Sequence, residues 1–79
     1  MSDRELLAAI GQRIRQARTA AGQTQAELGE AAHVTPSTVS LWEKAANGPS
    51  ALNMVHVAEA LGVSVGWLLT GESEAAVTR

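Results

Sequence analysis

The chain has 79 residues, 46% of them hydrophobic and 18% charged, with a formal net charge of −2. That size fits one domain with a small core, and the balance of apolar and charged residues excludes intrinsic disorder. No run approaches the roughly 18 apolar residues of a membrane helix, nothing at the start reads as a signal peptide, and the lack of cysteine excludes disulfide scaffolds, thiolate metal sites and cysteine nucleophiles.

Residues 1–4 are expected to fray. Leu6, Leu7, Ile10, Ile14, Ala17 and Ala21 then recur at three- and four-residue steps, which predicts an amphipathic first helix ended by Gly22 in a left-handed cap. Thr24 caps a second helix, and Glu27 completes a capping box; Ala26, Leu28 and Ala32 are its apolar positions. After a short turn at His33 and Val34, Thr35 caps a third helix with Pro36 at its first position, where a missing N–H costs nothing. Val39 and Trp42 share the inner face of that helix. Ala45 to Pro49 reads as a connector, because Gly-Pro stops helices.

Ser50 caps a fourth helix carrying Met54, Val55, Val57, Ala58 and Leu61, closed by Gly62. Ser64 caps a short fifth with Trp67, Leu68 and Leu69, closed by Gly71, and 72–79 is expected to be a flexible tail or the start of a linker. No strand signal competes. Helices of about a dozen residues or fewer are not stable alone in water, so all five must share one core. The expectation is an all-α, compact five-helix bundle over residues 5–71. Trp42 and Trp67 are the only aromatic residues; both read as core, and two indoles exclude a platform for stacking single-stranded bases.

The most informative stretch is Thr24 to Lys44, TQAELGEAAHVTPSTVSLWEK. It holds two short capped helices joined by a tight turn, the layout of a helix-turn-helix, in which the first helix braces the second across a DNA backbone. Gln25 sits in the first turn of its helix, where free N–H groups and the positive dipole end favour a phosphate that its amide can also reach. On the third helix, an inward Val39 and Trp42 leave Pro36, Ser37, Thr38, Ser40, Leu41 and Lys44 outward or at the rim. Ser37 and Ser40 can donate to or accept from base edges, and Leu41 can meet only a thymine methyl or other apolar surface. Thr35 and Thr38 suit the phosphate backbone. Lys44 suits a phosphate or its own helix dipole, and Asn47 precedes a fourth helix whose free N–H groups suit another phosphate. The net acidity is concentrated in the flanks: residues 10–50 carry +1 and the remainder −3.

With TQAEL, TVSLWEK and LGVSVGWLLTGE in order, the chain resembles the lambda-repressor-like, Cro-type helix-turn-helix domains of bacteria and their phages over about residues 5–72. The resemblance implies the phosphate-clamp role for Gln25 and a major-groove position for Pro36, Ser37, Ser40 and Leu41. It also implies a largely buried ion pair between Arg18 and Glu43, and by analogy a place for Arg13 near the start of the binding surface. Four departures stand out. No Arg, Asn or Gln occupies the outward face of the third helix, so strong bidentate base contacts are absent. Ala45 and Ala46 stand where relatives often carry Lys or Arg. Gly29 replaces the usual Ala inside a helix, and His33 replaces the usual Gly in the turn, which predicts a non-glycine residue at positive φ.

A repressor or Cro-like regulator is thus expected, binding a palindromic operator in double-stranded DNA as a homodimer in the cytoplasm of a bacterial host, associated with the nucleoid. Its dimer surface is sought on the fourth and fifth helices and the tail, with Leu52, Val63 and Val65 as candidates. An antirepressor protein is a further partner of such regulators. Three alternatives use the same scaffold: a restriction-modification controller, an antitoxin, and a protein-interaction module docking through the outer face of the third helix. No cofactor or metal site is expected, since His33 and His56 lack a ligand cluster, and the serines read as caps rather than nucleophiles. A chain continuing past Arg79 would make this the amino-terminal half of a larger repressor.

Overall fold

A computed structural model describes residues 1–72. Its helices are α1 (Asp3–Ala20), α2 (Gln25–Ala32), α3 (Pro36–Glu43), α4 (Ala51–Leu61) and α5 (Val65–Thr70), with no strand among the described residues. Each helix begins on a hydroxyl that accepts from the backbone N–H three residues on: Ser2, Thr24, Thr35, Ser50 and Ser64. Such a cap contributes about 1 kcal/mol, which matters in helices this short. Gly62 and Gly71 close α4 and α5 in the left-handed region. Gly22, one residue past the C-cap Ala21 of α1, has φ 71°.

The amino terminus differs from expectation. Instead of fraying over residues 1–4, α1 starts at Asp3 because Ser2 and Glu5 form a reciprocal capping box, with Ser2 N–H donating to Glu5 Oε1 at 2.9 Å and Glu5 N–H to Ser2 Oγ at 3.2 Å. The bond from the Ser2 backbone N–H, with a lesser contribution from the Ser2 side chain, holds the Glu5 carboxyl below the usual carboxylate range.

The core consists of Ile14, Leu28, Ala32, Val39, Trp42, Met54, Val57, Ala58 and Leu68. It draws on every helix, and α2 to α5, each of 11 residues or fewer, are too short to stand alone. Trp42 is buried, whereas Trp67 is half-buried and packs on the core's edge beside Ile10, Leu61, Val63 and Val65. Ala26, expected among the apolar positions of α2, is exposed; Leu28, Gly29 and Ala32 carry the buried side. Leu6, Val55 and Leu69 are also more exposed than their periodicity suggests.

Two glycines set how closely the helices approach. A Cβ on Gly11 would overlap the Trp42 carbonyl oxygen, so α1 crosses the end of α3 backbone to backbone. A Cβ on Gly29 would lie 2.7 Å from the Val34 carbonyl oxygen, which lets the α2–α3 turn fold back tightly on α2. No helix of the described residues is long and apolar enough to cross a membrane.

Candidate nucleic-acid interface

Helices α2 and α3 are joined by His33, Val34 and Thr35. His33 adopts φ 65°, ψ 37°, the left-handed conformation expected at this position. Val34 N–H then donates back to the Gly29 carbonyl at 2.8 Å, which closes α2 and aims the chain into α3. At the start of α3, Thr35 Oγ1 accepts from Thr38 N–H at 3.1 Å, and the two threonine hydroxyls lie 2.9 Å apart. Because Val39 and Trp42 are buried, α3 turns the opposite edge to solvent: Pro36, Ser37 and Leu41 are exposed, and Ser40 and Thr38 are half-buried. Leu41 keeps 41% of its surface in water, a sizeable apolar side chain in the middle of a polar edge.

Behind this edge lies a charged brace. Arg18 Nε donates to Glu43 Oε2 at 2.6 Å and its Nη2 to Oε1 at 3.1 Å, while Nη1 donates to the Gln23 carbonyl at 2.7 Å. The two side chains are only 12% and 5% exposed, so the pair fixes the end of α1 to the end of α3 largely out of water. Hydrogen bonding to Glu43 pushes the Arg18 guanidinium further above its already high range. The expected Arg18–Glu43 pair is thus present in this geometry.

The same carboxylate reaches a residue that the sequence ties to it only distantly. Gln25 Nε2 donates to Glu43 Oε1 at 3.1 Å, across 18 positions of chain. One amide hydrogen is thereby committed to Glu43. Gln23, whose carbonyl completes the guanidinium's partners, carried no sequence signal; it lies in the loop ahead of Thr24, five residues past Arg18, and its own N–H donates to the Arg18 carbonyl at 3.0 Å.

Other expected positions scatter more. Lys44 is the exposed C-cap of α3, and Asn47 is exposed in the connector to α4. Ala45 has φ 61°, a second strained non-glycine position that the sequence reading did not anticipate. Arg13 is not brought to the α2–α3 edge. Its Nη1 donates to the Leu68 carbonyl at 3.1 Å, and its guanidinium lies against Gly71, so it braces α1 to the end of α5. Of the dimer candidates, Leu52 is 66% exposed, while Val63 and Val65 are half-buried against the core.

Comparisons with known proteins agree with this architecture. A helix-turn-helix family model matches residues 14–68. The P22 c2 repressor, solved in complex with a synthetic operator, superposes with TM-score 0.77 at 33% identity over 80% of this chain and 96% of that one. The restriction-modification controller C.AhdI of Aeromonas hydrophila gives TM-score 0.80 at 29% identity, over 86% and 99% of the two chains. The clp gene regulator ClgR of Corynebacterium glutamicum gives TM-score 0.76 at 36% identity, over 92% and 91%. A curated relative, an uncharacterised HTH-type transcriptional regulator of Haemophilus influenzae, is 44% identical over 46 residues, 58% of this chain. The match spans 19% of that protein, so this chain corresponds to about a fifth of it. With five helices arranged as in these structures and a family match across both central helices, the chain belongs to the helix-turn-helix family.

Proposed function

We propose that this chain is a phage-type repressor or Cro-like regulator that binds duplex DNA sequence-specifically, as a two-fold dimer on a palindromic operator, with α3 in the major groove. The observation that carries the reading is the outer edge of α3, where Ser37 and Leu41 are exposed and Ser40 half-buried, together with a Gln25 amide at the start of α2 held in place by Glu43. An edge one helix wide suits a groove about 12 Å wide. Ser37, Ser40, Leu41 and Pro36 read base edges, and Leu41 supplies an apolar surface for thymine methyls. Gln25, Thr35, Thr38, Lys44 and Asn47 hold phosphates, and Arg13 serves as a structural brace.

A second copy supplies the affinity that so few charges cannot. Its contact surface is the apolar side of α4 and α5, where Leu52 is exposed and the exposed Val55 and Leu69 edge a cleft of about 380 Å³ lined also by Pro49, Met54 and Val65. The likeness to C.AhdI favours a controller of restriction-modification genes as the second reading. The two differ in which promoter is bound, not in how the helix reads DNA.

Titrating labelled operator and random duplexes with Ser37→Ala, Leu41→Ala and Gln25→Ala variants tests the assignment. The first two should reduce discrimination between the duplexes, by up to about 1–3 kcal/mol for a base-reading contact, with little change in melting temperature. Gln25→Ala should weaken both duplexes alike. Equal losses for Ser37→Ala and Leu41→Ala on both duplexes would remove those residues from base reading.

A further inference from the structure

Five cationic side chains fall among the described residues, and two of them are occupied internally: Arg18 by Glu43 and Gln23, Arg13 by Leu68. Arg15 lies along α1 beside Gln12, Gln16 and Thr19. The remaining two, Arg4 and Lys44, line one cleft of about 590 Å³ between the first turns of α1 and the end of α3, with Leu7, Ala8, Ala45 and Ala46 as the other walls. Resting on the duplex-binding reading above, we propose that this cleft takes a backbone phosphate of the bound DNA, with Arg4 as a phosphate contact additional to Lys44.

The local structure favours an anion there. The wall residues between the two cations are apolar, and low-dielectric walls focus the field of the charges they flank. Two of the three nearby carboxylates are engaged elsewhere: that of Glu43 is held by Arg18 and 5% exposed, and that of Glu5 accepts from Ser2 N–H, while Asp3 in the same first turn as Arg4 is exposed to water. The carbonyls at the end of α3 are also capped, Ser40 by Lys44 N–H at 3.0 Å, Leu41 by Ala46 N–H at 2.9 Å and Trp42 by Ala45 N–H at 3.0 Å. This satisfies the negative end of the helix dipole that would otherwise oppose a phosphate.

Placement supports the same conclusion. Lys44 is the residue that ends the base-reading helix, so the cleft flanks the point where a strand leaves the groove occupied by α3. Arg4 is held in a capped helical turn, and Leu7 one turn later packs against the connector so tightly that a Cβ on Gly48 would lie 2.6 Å from it. The turn fixes the Arg4 backbone, and the planar fork of its guanidinium matches phosphate oxygens.

The test measures affinity for a selected duplex as a function of salt for the full chain and for Arg4→Ala, Arg4→Lys and Arg15→Ala. The log–log slope should become shallower for Arg4→Ala by about 0.9 per protomer, hence about 1.8 for a dimer on both half-sites. It should stay at the wild-type value for Arg4→Lys and Arg15→Ala, and the Arg4→Ala loss should be the same on operator and random duplexes. Because Arg4 is exposed, the Arg4→Ala melting temperature should match the wild type. Wild-type binding with an unchanged Arg4→Ala slope would overturn the cleft assignment alone, as would an equal change for Arg15→Ala. Absence of wild-type binding to any duplex would instead overturn the functional reading itself.

Discussion

Replacing Arg18 by Met strips Glu43 of its cation while keeping most of the side-chain volume. The carboxylate is 5% exposed and would retain only the Gln25 amide at 3.1 Å. An uncompensated charge so placed costs about 3–5 kcal/mol, because desolvation persists after the attraction is gone. A domain of 79 residues has roughly 4–12 kcal/mol of stability in total, at about 0.05–0.15 per residue. At about 4 °C or more of melting temperature per kcal/mol, Arg18→Met should therefore melt at least about 12 °C lower, followed by circular dichroism. The double variant Arg18→Met with Glu43→Leu removes both charges and should recover most of the loss. It should not recover DNA affinity, since Gln25 loses the acceptor that orients it. A single variant that melts within about 4 °C of wild type would show that the brace is not formed, and the account of how α1 holds α3 would fall with it.

Two further substitutions probe the backbone. His33→Gly relieves a left-handed residue and should raise stability by about 1 kcal/mol in denaturant unfolding; a loss would mean that the His33 ring, edge-on to His56 with 5.3 Å between centroids, contributes more than the strain removes. Gly11→Ala should destabilise by well over 1 kcal/mol, because its Cβ would overlap the Trp42 carbonyl and force α1 off α3. A near-neutral result there would contradict the close crossing.

What was legible in the sequence was local chemistry. Thr24, Thr35, Ser50 and Ser64 announce helix starts because a hydroxyl before an apolar-periodic run satisfies free N–H groups, and all four cap in the structure. Ser2 and Glu5 form the same kind of cap but lie at a terminus, where chains usually fray, and the sequence reading expected residues 1–4 to do so. The His33 backbone was implied by the resemblance, in which Gly is usual at that turn position; Ala45 is also left-handed, past the end of α3, in a stretch read simply as a connector.

Long-range partners were harder to see. Arg13 and Leu68 are separated by 55 positions and meet only because α5 folds back onto α1, so an arginine that looked free for DNA is used as a brace. Gln25 was legible as a residue at a helix start, but its tether to Glu43 depends on α2 and α3 packing together. Likewise, Arg4 and Lys44 lie 40 positions apart and share a cleft only once α1 has crossed α3.

Selection of bound sites from a random duplex pool tests the central claim most directly. The account predicts enrichment of one inverted-repeat site whose half-sites are centred about 34 Å apart, and loss of preference at defined positions of each half-site for Ser37→Ala and Leu41→Ala. A pool that stays unenriched at low salt would contradict a groove-reading role for α3.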